Sequence, residues 1–141
     1  MAKMSKASAV KLISCHPKLI KVIDRINREI TVIEGHRSLE RQKQLIKEGK
    51  SSLKKAENGY HVKMPSMAID IAPVINGTIY WNNKEAFAKL ADEFKKAVED
   101  LNNETQDESE KIKITWGGDW DHDGEWKDEK FLDMVHFQLE E

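Results

Sequence analysis

The sequence predicts an α+β fold, because short strand-like segments lie between longer segments with helical periodicity. The strongest helical signal is the segment 87–101, where apolar residues recur every three or four positions and form one continuous stripe. The strongest strand signals are the segments 67–72 and 135–139, where apolar residues alternate with other residues. The stripe at 87–101 is typical of a helix that covers a hydrophobic core.

The other elements are predicted from local signals. In chain order we predict a short helix, a helix at 17–28, a strand at 31–34, a helix running to about 48, the strand 67–72, the helix with the 87–101 stripe, and strands at 112–116 and 135–139, with polar loops at 50–60 and 102–111. Pro17 suits a first helical turn, Ser38 can cap the third helix, and Asn82 or Asn83 can cap the long one. Asn76-Gly77 predicts a tight hairpin-like turn into residues 78–81.

Length and composition indicate one domain, 1–141. The chain has 141 residues, of which 39% are hydrophobic and 34% are charged. Its formal net charge of -2 argues against a nucleic-acid binder, which needs a basic excess. Cys15 is the single cysteine and cannot form an internal disulfide. The apolar run 10–13 is broken by Lys11, so we expect no signal peptide and no membrane segment.

Two short stretches carry the residues for a metal site. One ends at Asp70 and the other begins at Asp133, and together they supply two imidazoles and two carboxylates: His61, Asp70, Asp133 and His136. A hydrolytic zinc needs three protein ligands, one open position, and a separate carboxylate to move protons. His61, Asp70 and His136 can be the ligands, and Asp133 can be the base.

Strand parity supports this assignment. In a strand at 67–72, Ile69 and Ile71 point to one side and Asp70 points to the other. In the last strand, His136 lies on the side opposite to Phe137. Parity alone leaves two interpretations open, a metal site and a pair of solvated polar residues.

Several motifs extend the pattern along nearly the whole chain. They are His16-Pro-x-Leu, Val32-Ile-Glu-Gly-His-Arg37-Ser, His61 through Asp70 with Pro65-Ser66 between them, Trp116-Gly-Gly-Asp-Trp120 and Asp133-x-x-His136-Phe-x-Leu. In this order they resemble the zinc D,D-carboxypeptidase and L-alanyl-D-glutamate endopeptidase family, especially its small phage endolysins. The resemblance implies a small antiparallel sheet flanked by helices, a Hedgehog/D,D-peptidase-like zinc peptidase fold, without a separate wall-binding domain.

The resemblance also implies roles for individual residues. Zinc would be held by His61, Asp70 and His136, and Asp133 would accept a proton from water and return it to the departing amine. Arg37 is similar in position to the family arginine that holds the substrate or its oxyanion. A structural salt bridge from Arg37 to Glu34 or Glu40 is the alternative. Ser38 and Gln42 share a helix face and are further candidates for substrate binding.

Three functions remain open. The leading one is a phage-type endolysin that hydrolyses the L-alanyl-D-glutamate bond of peptidoglycan stem peptides, degrading the wall and lysing the host. The alternatives are a D-alanyl-D-alanine carboxypeptidase and a non-catalytic calcium-binding or wall-binding module. As an endolysin, the protein would be a monomer made in the host cytoplasm. It would act in the periplasm or cell wall after a holin releases it.

An acidic segment suggests regulation by calcium. Carboxylates recur at alternate positions with a glycine at the sixth, as at the start of an EF-hand loop. The candidate ligands are Asp119, Asp121, Asp123, Glu125 and Glu129. Lys130 stands where an EF-hand places its bidentate glutamate, so the match is partial. A solvated acidic loop is the alternative.

Overall fold

The computed structural model describes residues 2–50, 59–120, 122 and 133–140. Its helices are α1 (Lys6–Ile13), α2 (Pro17–Arg25), α3 (Leu39–Lys47) and α4 (Lys84–Asn103). Its strands are β1 (Ile30–Glu34), β2 (Ala68–Pro73), β3 (Ile114–Trp116) and β4 (His136–Leu139). Short 3₁₀ turns occur at Tyr60–Val62 and Glu108–Glu110. The predicted α+β class is therefore confirmed.

The four strands form one antiparallel sheet in the order β1-β2-β4-β3. Strand β2 lies in the interior, between β1 and β4, and all six of its residues are buried. Its pairing places Asp70 directly opposite His136 of β4. On the other side, a bulge between Val32 and Glu34 brings Glu34 opposite Asp70. This register sets up the polar centre of the molecule.

Helices α2 and α4 cover the apolar face of the sheet. They pack against each other, and α4 also packs against β2. Phe94 of α4 stacks on Phe137 of β4 with ring centroids 4.2 Å apart, and neither residue is exposed. Ile69 and Ile71 belong to the same core, whereas Asp70 between them does not. The predicted parity of this strand is therefore correct.

Several predicted boundaries shift by a few residues. The helix predicted at 17–28 ends at Arg25, because Ile26 adopts an extended conformation with ψ 132°. The strand predicted at 112–116 begins at Ile114. Ile112 makes its backbone hydrogen bonds with the side chain of Asn102, at 2.7 and 2.9 Å, instead of with a strand. Such side-chain bonds compete with regular secondary structure.

The helix caps and the tight turn follow the sequence signals. Ser38 caps α3 by accepting from the amide of Arg41, and Asn83 caps α4 by accepting from the amide of Ala86. The turn at Asn76-Gly77 joins the bridged residues 75 and 78, and both turn residues have positive φ, 52° and 75°. Among the described residues, no helix is long and apolar enough to cross a membrane.

Candidate metal centre

Asp70 and His136 meet across the pairing of β2 with β4. Their side chains project from the face opposite to the apolar core, and Asp70 Oδ1 lies 3.1 Å from His136 Nδ1. Both residues are 8% exposed. The contact follows from register, because directly opposed residues of an antiparallel pair carry their side chains on the same face.

His61 reaches the same carboxylate from the 3₁₀ turn Tyr60–Val62. Its Nε2 lies 3.1 Å from Asp70 Oδ1, and its Nδ1 lies 2.7 Å from the carbonyl oxygen of Gly35. Glycine is needed at 35 for a separate reason, because a Cβ there would lie 2.4 Å from the carbonyl oxygen of Lys11. The segment after β1 therefore packs closely against the end of α1 and presents its Gly35 carbonyl to His61.

The donor atoms fit a metal cation. The outer nitrogen of each imidazole faces an acceptor, the Gly35 carbonyl for His61 and Gln138 Oε1, at 2.8 Å, for His136. If each outer nitrogen carries the hydrogen, each inner nitrogen presents a lone pair toward Asp70. The ligand atoms of His61, Asp70 and His136 lie within 4.8 Å of one another. Three converging acceptors with oriented outer nitrogens are what a metal site requires.

The electrostatics of the buried Asp70 carboxylate also favour a bound cation. Burial opposes ionisation of Asp70, but hydrogen bonds from His136 and His61 hold its pKa well below its usual range. Burial alone would lower the pKa of His136, and the Asp70 carboxylate outweighs it and raises that pKa. Asp70 is therefore a buried carboxylate that stays negative and attracts positive charge.

Asp133 stands beside this centre, on the segment that leads into β4. Its amide donates to the carbonyl of Gly117 at 2.8 Å, and a Cβ at Gly117 would lie 2.1 Å from the Asp133 carbonyl oxygen. Burial and the charge of Asp70 raise the pKa of Asp133, while His136 opposes that shift. Asp133 is thus a carboxylate within electrostatic range of the candidate ligands, and none of its oxygens takes part in the cluster of ligand atoms.

Arg37 lies on the same side of the molecule and is held by two side chains. Its Nε donates to Glu34 Oε1 at 2.7 Å, its Nη2 donates to the other oxygen of Glu34, and its Nη1 donates to Gln42 Oε1. The predicted salt bridge with Glu34 therefore exists. Gln42 is fully buried, whereas Ser38 is exposed and caps α3. The buried Gln42 amide therefore fixes the orientation of the Arg37 guanidinium by accepting a hydrogen bond from it.

Sequence reasoning overlooked the residues that orient the candidate ligands. Gly35 and Gln138 face the outer nitrogens of the two histidines. A signal existed for Gln138, because it shares strand parity with His136 two residues earlier. No comparable signal existed for the carbonyl of Gly35.

Four of the five candidate calcium ligands, Asp121, Asp123, Glu125 and Glu129, lie outside the described residues. Asp119 is described and is 5% exposed. One of its carboxylate oxygens lies 3.9 Å from Lys95 Nζ, and Lys95 lies over the Trp116 ring, 5.2 Å from its centroid. Asp119 is therefore packed against β3 and α4.

Comparison with known proteins identifies the class and then the family. The solved structure of the L-Ala D-Glu endopeptidase ChiX of Serratia marcescens matches with a TM-score of 0.70, covering 99% of this chain and 90% of that one at 23% identity. Fold and site thus define an α+β protein that shares the fold of this endopeptidase and carries a candidate metal centre.

Sequence comparison then gives the family. A family model described as phage L-alanyl-D-glutamate peptidase matches residues 1–140. The L-alanyl-D-glutamate peptidase of Escherichia phage T5 is 34% identical over 131 residues, which is 90% of this chain and 88% of that protein. The chain belongs to the phage L-alanyl-D-glutamate peptidase family, and the predicted family and enzyme class are confirmed.

Proposed function

We propose that this protein is a zinc-dependent endolysin that hydrolyses the L-alanyl-D-glutamate bond of peptidoglycan stem peptides. The observation that carries the proposal is the convergence of His61, Asp70 and His136 in a chain of this family. Two imidazole nitrogens and one carboxylate suit zinc, which accepts nitrogen and oxygen ligands. Bound zinc would supply Lewis-acid chemistry, polarising the scissile carbonyl and making water more acidic.

Asp133 is the proton carrier in this proposal. Its carboxylate accepts the proton of the attacking water and then donates it to the departing amino group of D-glutamate. The raised pKa that burial and Asp70 give this carboxyl makes it a better base than an exposed aspartate. The hydrogen bond from the Asp133 amide to the Gly117 carbonyl fixes the backbone of Asp133. Its carboxylate is thereby held within electrostatic range of the candidate ligands.

Arg37 is the candidate for holding the substrate. Glu34 and Gln42 fix the guanidinium, and the N–H groups they leave unused can bind a carboxylate or a carbonyl oxygen. A stem peptide offers both groups around the bond to D-glutamate. Ser38, at the exposed start of α3, is a second candidate contact.

The test is mass spectrometry of purified muropeptides after incubation with the zinc-loaded protein. Release of a peptide with a new N-terminal D-glutamate supports the proposal. Loss of one D-alanine would instead show a carboxypeptidase, and unchanged muropeptides would show a non-catalytic module. Metal content measured on the same preparation shows whether one zinc is bound per chain.

The biological setting is part of the same proposal. Residues 1–141 act as a single catalytic domain and as a monomer, made in the host cytoplasm and released to the periplasm or cell wall by a holin. Expression in a host with and without a holin tests it. Lysis only in the presence of the holin is expected, and equal lysis in both would contradict it.

Calcium regulation is proposed from the sequence pattern of residues 119–129 alone. Carboxylates at alternate positions favour a divalent cation, and the segment leads toward Asp133 and His136. Calcium bound there would position Asp133 and His136 and so activate the enzyme outside the cell, where calcium is more abundant. Calorimetric titration of the zinc-loaded protein, with hydrolysis measured before and after calcium is restored, tests this. The absence of both heat and rate change would reject it.

A further inference from the structure

A row of polar side chains continues along β4 beyond the candidate ligand. His136, Gln138 and Glu140 alternate with apolar residues and so share one face of the strand. Gln138 lies opposite Ala68 on one neighbouring strand and opposite Thr115 on the other. The small side chain at Ala68 leaves space for the Gln138 amide.

These side chains form a directed chain of hydrogen bonds. Gln138 Nε2 donates to Glu140 Oε1 at 2.8 Å, and Gln138 Oε1 lies 2.8 Å from His136 Nε2. Because a carboxylate accepts only, Glu140 holds the amide with its nitrogen toward itself and its oxygen toward the histidine. The Gln138 oxygen can then bond only to a hydrogen on His136 Nε2.

The position of this hydrogen determines what His136 Nδ1 can do. With the hydrogen on Nε2, the neutral His136 ring presents the lone pair of Nδ1 toward Asp70 Oδ1, 3.1 Å away. If the amide were reversed, it would present an N–H group to Nε2 and favour a hydrogen on Nδ1. That hydrogen would bond to Asp70 and occupy the position of a metal.

The same chain reaches the second histidine. The Tyr60 hydroxyl donates to Glu140 Oε2 at 3.2 Å, so both oxygens of Glu140 are engaged. Tyr60 directly precedes His61 and begins the 3₁₀ turn that carries it. Glu140 therefore connects the two segments that deliver the histidines.

We propose that Gln138 and Glu140 are positioning residues that hold His136 in the tautomer able to bind a metal. This inference rests on the metal site proposed above and deepens it. Glu140 orients the Gln138 amide, and Gln138 orients the ring. Partners of this kind around ligating histidines typically change metal affinity by about 10-fold to 100-fold when removed.

The experiment compares zinc affinity, measured by chelator competition, across four variants. Gln138→Leu removes the acceptor, and we expect zinc affinity to fall by about 10-fold to 100-fold. Gln138→Glu, made together with Glu140→Gln so that two carboxylates do not meet, retains an acceptor for the Nε2 hydrogen, and we expect affinity within about threefold of wild type. Glu140→Ala frees the amide to reverse, and we expect a loss of about 10-fold. Glu99→Ala, an exposed glutamate on α4, is the matched control and should change nothing.

A second readout separates positioning from structural damage. Ring nitrogen chemical shifts of His136, recorded above pH 8 in zinc-free protein, report which nitrogen carries the hydrogen. Asp70 competes for a hydrogen on Nδ1, so we expect a larger share of Nε2–H in wild type and in the Gln138→Glu/Glu140→Gln variant than in Gln138→Leu and Glu140→Ala. Rescue by the Gln138→Glu/Glu140→Gln variant is the result that a merely structural role of Gln138 would not produce.

The outcomes distinguish this inference from the site beneath it. If wild type binds zinc but Gln138→Leu and Glu140→Ala keep wild-type affinity and the wild-type share of Nε2–H, the positioning role is wrong and the metal site stands. If wild type binds no zinc, the proposed metal site itself is wrong. A larger loss in Gln138→Leu than in the Gln138→Glu/Glu140→Gln variant, with the tautomer shift, establishes the positioning role, and equal losses in the two would overturn it.

Discussion

The two faces of the central strands differ in what they do for the protein. On one face, Ile69, Ile71 and Phe137 are fully buried against the helices. On the other face, Asp70 and His136, which alternate with them, meet in the candidate metal centre. One strand pair therefore provides both the core and the site, and single-residue alternation separates the two.

The faces also differ in energetic cost. Apolar burial stabilises the fold by about 25 cal/mol per Å² of apolar surface removed from water. Burying a carboxylate such as Asp70 costs free energy unless partners compensate, and here two imidazoles do so. We therefore expect substitutions on the apolar face to change stability and those on the polar face to change metal binding and rate.

The largest effect should come from removing a ligand. Asp70→Ala leaves two candidate ligands, and a catalytic zinc is rarely retained by two. We expect zinc content and hydrolysis to be abolished, and His136→Ala and His61→Ala should behave alike. Metal analysis after dialysis and muropeptide digestion are the measurements. Stoichiometric zinc and full activity in any of these variants would remove that residue from the ligand set.

On the opposite face, Phe137→Ala should mainly lower stability. The ring stacks on Phe94 and is fully buried, and truncations of this kind typically cost about 3–5 kcal/mol. Urea unfolding of zinc-free protein measures the change without contributions from metal. Phe137→Leu is the matched control and should lose less. A loss below about 1 kcal/mol would show that this face is not the main core.

Most of the fold was accessible from the sequence, because periodicity and capping depend on neighbouring residues. The alternation of Ile69, Asp70 and Ile71 gave the correct faces of β2, and Ser38 gave the start of α3. The exclusion of Ile112 from β3 could not be predicted from the sequence. It depends on the Asn102 side chain, which reaches it only once α4 and the sheet are packed.

For the candidate site, the sequence supplied the reacting residue types but not what holds them. Asp70 and His136 could be chosen from parity and motif, whereas their meeting depends on the register of β2 with β4. The carbonyl of Gly35 beside His61 leaves no trace in residue type. Gln42 was predicted to face the substrate, and its burial under Arg37 depends on how α3 docks.

A third prediction separates metal binding from proton transfer within the polar face. Asp133→Asn keeps the shape of the side chain and removes the base, so we expect turnover to fall by about 10²-fold to 10⁴-fold. Zinc content should stay at the wild-type level. The melting temperature should stay equal or rise, because the charged form of Asp133 is disfavoured by burial and by Asp70. Loss of zinc in this variant would make Asp133 a ligand.

A smaller effect is expected at Arg37. Arg37→Lys keeps the charge but loses the planar fork that Glu34 and Gln42 hold. We expect kcat/KM on stem peptides to fall by about 10-fold to 100-fold, comparable to one charged hydrogen bond of about 1.5–3 kcal/mol. Zinc affinity, measured in parallel, should not change. Wild-type kinetics would leave Arg37 with its structural salt bridge alone.

The smallest effect on function is expected at Cys15, which belongs to the hydrophobic core. Its side chain is 2% exposed, and its Sγ lies 3.9 Å from the carbonyl oxygen of Ala68. Burial raises the pKa of the thiol to about 11, with the charge of Asp70 adding to the shift.

At pH 8 the native thiolate fraction should therefore be about two orders of magnitude below that of an unfolded cysteine. We expect thiol-specific reagents to modify Cys15 slowly in native protein and rapidly in urea. Native enzyme incubated with the reagent should keep its full activity for as long as Cys15 stays unmodified. Fast modification of the native state would show that the segment around Cys15 opens readily. In Phe137→Ala, which weakens the core, the native rate should rise, whereas in Asp133→Asn it should stay at the wild-type value.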